Sequence, residues 1–120
     1  MFGTREFLIN WDKAGPGFKE FALRRFSKFY QNSEGFLMAY TNDLGFRVGE
    51  VYQSDFPEKV STNPYEQCLN GYEFWDLEAV SEKFPHEKTL TVGVLPAHVT
   101  CITKDGKLRA SKFTVLRGVY

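Results

Sequence analysis

The last third of the chain leaves the least freedom to a fold. Residues 88–118, "KTLTVGVLPAHVTCITKDGKLRASKFTVLRG", are β-branched and apolar runs broken by two turn signals, Leu95-Pro96 and Asp105-Gly106. An Asp-Gly pair between alternating apolar residues is the strongest short-range hairpin signal. Three strands are therefore expected here. A period of two puts Leu90, Val92 and Val94 on one side, joined by Ala97, Val99 and Cys101 if the Leu95-Pro96 link is tight. Thr89, Thr91, His98 and Thr100 then face water. Beyond Asp105-Gly106 the same register turns Leu108 and Ala110 inward but also Lys112, leaving Phe113 and Val115 outside. A bulge near Ser111 would return both to the core, and one is expected there.

Upstream, residues 5–10, "REFLIN", read as a short strand closed by the turn-rich "DKAGPG". Residues 17–31 carry helical spacing: Phe18, Ala22, Leu23, Phe26, Phe29 and Tyr30 share one broad arc. Gly35 stands where a C-cap glycine belongs. "FLMAY" and "FRVGEVY" read as a hairpin of a buried and a half-exposed strand, followed by a long loop, "QSDFPEKVST". Asn63, Pro64 and Glu66 have the spacing of a short capped helix ending at Gly71. After a brief extended piece Asp76 serves as N-cap for a helix over 77–84, with Leu77, Val80 and Phe84 inward and Pro85 as its stop.

These elements predict an α+β fold. A mostly antiparallel sheet of five or six strands carries one longer and two short helices on one face. At 120 residues the chain has the length of a single domain, 1–120, able to bury a core without metal or disulfide staples. Aromatic residues make up 17%, including 12 Phe, so either the core is rich in rings or some rings lie outside it. Cys68 and Cys101 have neither CxxC nor metal-ligand spacing, which fits free thiols in a reducing, cytoplasmic setting. The opening residues lack the long apolar core of a signal peptide, and no run approaches a membrane span, so no membrane partner is expected.

The formal net charge is +0, which gives no bulk argument for nucleic acid. Locally, residues 66–87 hold six acids and one Lys, and residues 104–117 five cations and one Asp. The two segments are expected to neutralise each other when they pack.

One ring falls outside the helical stripe. Phe21 sits among Arg24, Arg25 and Lys28, its neighbours on the helix surface. A ring among cations can stack a base while the cations hold phosphates. It can equally take Arg25 over its face or be covered by the rest of the fold. If Lys107, Arg109 and Lys112 of the last hairpin lie alongside, the two groups make one positive surface.

Catalytic patterns are sparse. There is no glycine-rich phosphate loop, and no cofactor is expected. His98 and Cys101 are three apart on a strand and point to opposite faces, while His86 follows Pro85 in a loop. Glu50, Asp55, Glu58 and Lys59 form a loose acid-acid-Lys arrangement of the kind that binds Mg²⁺ in nucleases. Rings in irregular segments, Phe56, Tyr72 and Trp75, suit interface anchors or lids on a small core.

The leading expectation is a non-enzymatic binding protein, an inhibitor, adaptor or accessory factor whose partner is another protein. The alternative is a nucleic-acid binder using Phe21, Arg24, Arg25 and Lys28 with Lys107, Arg109 and Lys112. The third is a small metal-dependent hydrolase or nuclease around Glu50, Asp55 and Glu58. A homodimer through an open edge of the apolar C-terminal strand is a further expectation.

Overall fold

The computed structural model describes Pro16, Glu20, Arg24, Ser27–Lys28, residues 35–41 and residues 45–119. Within them lie eight strands: β1 Ser27–Lys28, β2 Phe36–Tyr40, β3 Val51–Gln53, β4 Tyr72–Asp76, β5 Thr89–Val94, β6 Val99–Ile102, β7 Leu108–Ala110 and β8 Lys112–Val119. The α-helix α1 spans Leu77–Lys83, Pro16, Glu20 and Arg24 are also helical, and 3₁₀ turns occupy Pro57–Lys59 and Pro96–His98. All pairings are antiparallel, in the order β3-β8-β5-β2-β4-β7-β6 with β1 beside β2. The strand expected at 5–10 lies outside the described residues.

The sheet is rolled, and chain connectivity requires it. From β8 to β7 the order crosses four strand spacings, about 19 Å in a flat sheet. Yet Ala110 and Lys112 are separated only by Ser111, a span of at most about 7 Å. Ser111 ties the corner: its N–H donates to the His98 carbonyl at 3.0 Å and its carbonyl accepts from Ser54 N–H at 2.8 Å. The segments following β3 and preceding β6 thus meet at one residue.

Inside the roll pack Phe36, Met38, Phe74, Leu90, Val92 and Val94 with Leu108, Phe113 and Val115. Phe113 is the hub of the rings, with centroids 4.8 Å from Tyr72, 5.0 Å from Phe74, 5.3 Å from Phe46 and 5.5 Å from Tyr52. The contacts with Tyr72, Phe74 and Phe46 are edge-to-face and that with Tyr52 is stacked, geometries that add to the burial of the rings themselves. Much of the aromatic surplus is therefore core.

The phase change at Ser111 occurs as expected, with Leu108, Ala110, Phe113 and Val115 all buried. It is a break between two strands rather than a bulge in one. True irregularities lie elsewhere: Thr91 pairs with Arg117 and Val92 with Val115, leaving Leu116 extra, and β6 shifts register between Val99 and Cys101. The Asp105-Gly106 hairpin forms, with Gly106 at φ 85° and Thr103 N–H donating to the Lys107 carbonyl at 2.8 Å.

Several expectations are corrected. β2 pairs with β4 and β5 rather than with the 46–52 segment, whose strand β3 pairs with β8. Apolar periodicity sets the face of a strand, not its neighbour. Thr91 is buried rather than wet, because β5 is covered on both sides. β5 and β6 do not form a hairpin: a 3₁₀ turn at Pro96–His98 carries the chain to the far end of the sheet. β8 is no open edge, since β3 and β5 flank it. Glu20 and Arg24 are helical and ion-paired, but Ser27–Lys28 form a strand, so the helix read over 17–31 does not run through them. The helix over 63–71 is absent. α1 matches its reading: Asp76 Oδ1 accepts from Glu78 N–H at 2.8 Å, and Val80 is buried.

Candidate functional site

The expected basic surface lacks Arg109. Phe21 and Arg25 lie outside the described residues. Arg24 is exposed and paired with Glu20, and Lys28 stands on β1. Arg109 is 1% exposed and cannot meet a phosphate. It sits directly across from Glu73 on β4 and beside Cys101 on β6, on the sheet face opposite Leu108.

Residues 61–66 fold over that face because Arg109 draws their carbonyls. Its Nη1 donates to the carbonyls of Ser61 at 3.1 Å and Asn63 at 2.9 Å, and its Nη2 to that of Glu66 at 2.6 Å. Nε and Nη2 donate to Glu73 Oε2 at 3.0 and 2.9 Å. All five guanidinium N–H groups are thereby satisfied, as a buried charge requires. The same geometry explains the missing helix: carbonyls aimed at Arg109 are withheld from helical bonding, and only a single turn survives, with Glu66 N–H donating to the Asn63 carbonyl at 3.1 Å. Lys107 Nζ lies 3.4 Å from Glu73 Oε1 and 5.3 Å from the Trp75 ring centre, with Lys83 over the same ring at 4.5 Å. The basic and acidic segments neutralise each other here. Lys112 is half-buried at the start of β8, near His98.

The chemistry-bearing groups are dispersed. Cys68 and Cys101 are free thiols. Cys101 is buried under residues 61–66, its Sγ 3.9 Å from the Ser61 carbonyl, and burial pushes its thiol up to about 11. Burial also raises Cys68, and it lowers His98, with Lys112 adding to that effect. Among the described residues no three His, Cys, Asp or Glu side chains come together to hold a metal ion, so Glu50, Asp55 and Glu58 do not form the expected cluster. Nor is any helix among them long and apolar enough to cross a membrane.

What the fold does build is a groove of about 290 Å³ between the exit of β3 and the entry of β4. Gln53, Ser54, Asp55 and Phe56 form one wall, and Leu69, Asn70, Gly71 and Tyr72 the other. Tyr72 anchors the floor by packing on Phe113, and its hydroxyl is raised by burial and then by the nearby Asp55 carboxylate. Both walls are held from behind. Ser54 is buried and bonded to Ser111, and its Oγ accepts from Phe56 N–H at 3.1 Å. At the rim Leu69 is 77% exposed and Phe56 49%, with Lys59 Nζ 4.7 Å from the Phe56 ring centre.

The sequence singled out Phe56 and Tyr72 as rings in irregular segments but gave no sign that they share a groove, since they are joined through Ser111 and Phe113. Leu69, in a stretch read as helix, carried no signal. Comparison with known proteins supplies no relative: no family model, no curated protein and no solved structure matches the chain.

Proposed function

We propose that this chain is a small non-enzymatic interaction protein whose partner is another protein, engaged at the groove between residues 53–56 and 69–72. The observation that carries the reading is the exposure of Leu69 and Phe56 on facing walls of one rigidly backed groove. Single exposed apolar side chains are ordinary, but two that converge over a preformed concavity supply a desolvated anchor point. Neither other class has comparable support. A nucleic-acid surface loses Arg109 to the interior, and the acids of the nuclease reading stand apart.

The test is capture by the immobilised chain from cells that express it, with a Phe56→Ala/Leu69→Ser variant alongside. A captured protein is then purified and titrated against both chains. Loss of affinity in the variant with an unchanged unfolding midpoint supports the reading. Equal binding by both chains removes the groove from it.

A further inference from the structure

We infer that the partner docks as an extended segment, added as a strand to the outer edge of β3 and placing a Lys or Arg side chain in the adjoining groove. This rests on the groove reading above and names the kind of segment it takes.

β3 is an end strand of the sheet, paired only with β8 among the described residues. Antiparallel ladders alternate, and the bond from Ser54 N–H to the Ser111 carbonyl sets the phase. Tyr52 therefore exchanges its backbone bonds with Phe113, while Val51 and Gln53 turn their N–H and C=O groups away from β8. The other end of β3 agrees. Gly49, at φ 88°, donates to the Val115 carbonyl and Val115 N–H donates to Glu50, a glycine bulge that sets two residues against one.

β3 is only three residues long and opens on a bulge, which limits pairing to a short segment, but those residues carry no charge. Val51–Gln53 holds no proline and no lysine, and Val51 and neighbouring Val48 are 52% and 59% exposed. Along the chain its nearest flanking charges are acidic, Glu50 and Asp55, both exposed, while Lys112 of β8 stands across from Gln53. A second copy would bring the same acids to the same edge, whereas a basic segment complements them.

Edge and groove are continuous, because Gln53 ends β3 and also lines the groove. An added strand rises about 3.3 Å per residue, so a side chain two residues beyond the one beside Gln53 lies about 6.6 Å further on, past the end of β3 and toward the groove wall that carries Asp55. Asp55 is the only charged residue in the groove lining. Leu69 and Phe56 flank it and suit the aliphatic stem of Lys or Arg. The volume, about 290 Å³, lies at the bottom of the range for small-molecule sites and suits one side chain.

The probe is an acetylated, amidated heptapeptide of alternating threonine and valine with a central arginine, titrated into the ¹⁵N-labelled full chain. Saturable shifts of the Val51 and Gln53 amides are expected, weakened at least about tenfold when glutamate replaces the arginine or when Asp55→Asn is introduced. Val51→Pro removes an outward N–H without touching the β8 ladder and is expected to abolish the shifts. A peptide N-methylated at alternate amides tests the same bonds without altering the protein. Unshifted Val51 and Gln53 amides, or equal binding of the arginine and glutamate peptides, overturns strand addition. Concentration-dependent dimers that Val51→Pro dissolves would assign the edge to a second copy and overturn it equally. A protein partner lost with Phe56→Ala/Leu69→Ser but retained by Val51→Pro and Asp55→Asn overturns strand addition alone and leaves the groove reading standing.

Discussion

Glu73 receives both the Nε–H and an Nη2–H of Arg109 on a single carboxylate oxygen, at 3.0 and 2.9 Å, and keeps its other oxygen 3.4 Å from Lys107. The pair does more than cancel charge. It fastens residues 61–66 across β4, β7 and β6, and so holds the chain that leads to Leu69 and the second wall of the groove.

Truncating Arg109 leaves Glu73 and three carbonyls without their donor. Arg109→Ala is expected to lower stability by about 3–5 kcal/mol in urea denaturation, a large part of what a domain of this size has. Arg109→Lys keeps the charge but only three donors, and should fall between the two. An unchanged midpoint in Arg109→Ala would show that the clamp is not structural.

Phe113 joins rings from β2, β3 and β4 inside the roll. Phe113→Ala is expected to cost about 3–5 kcal/mol, and Phe113→Leu clearly less, since it refills most of the space. Near-ultraviolet circular dichroism should lose intensity along with the stability, as the surrounding rings lose their fixed packing.

Cys101 titrates near 9.0 in the unfolded chain and at about 11 in the fold. A raised pKa of this kind contributes stability that is intact below pH 9.0 and lost as pH climbs toward 11. Stability should therefore decline over that interval, and Cys101→Ala should flatten its first part, before tyrosines contribute. A thiol reagent at pH 8 should leave Cys101 unmodified until denaturant is added.

His98 behaves in the opposite sense. Its pKa lies below the ordinary 6.5, so the stability tied to its neutral form is complete above pH 6.5 and disappears as pH falls through the folded-state value. His98→Gln should remove that acid-side decline, and stability profiles from pH 7 to 4 would read the difference. A profile unchanged by the substitution would mean that burial and Lys112 do not perturb the imidazole.

The strands of the last third, the Asp76-capped helix and the phase change at Ser111 were legible in the residues themselves. Each depends on local physics: alternation within a strand, a side-chain oxygen meeting a nearby N–H, and the need to keep Phe113 and Val115 out of water. Partner choice was not legible. Whether β2 lies beside β3 or between β4 and β5 is settled by how the whole sheet closes, and the closure runs through Ser111, which reads in sequence as an irregularity within one strand and not as the corner of a rolled sheet.

Arg109 shows the same division most sharply. Its position on an alternating strand assigns it to the face opposite Leu108, and that assignment holds. Alternation alone makes such a face wet, and only the return of residues 61–66 over it turns an apparent surface cation into the most buried charge among the described residues. The groove likewise depends on contacts between Ser54 and Ser111 and between Tyr72 and Phe113, pairs separated by forty or more positions. Local sequence determines which residues turn inward along each element; the long-range closure of the sheet decides which of the remaining polar and apolar side chains water ever reaches.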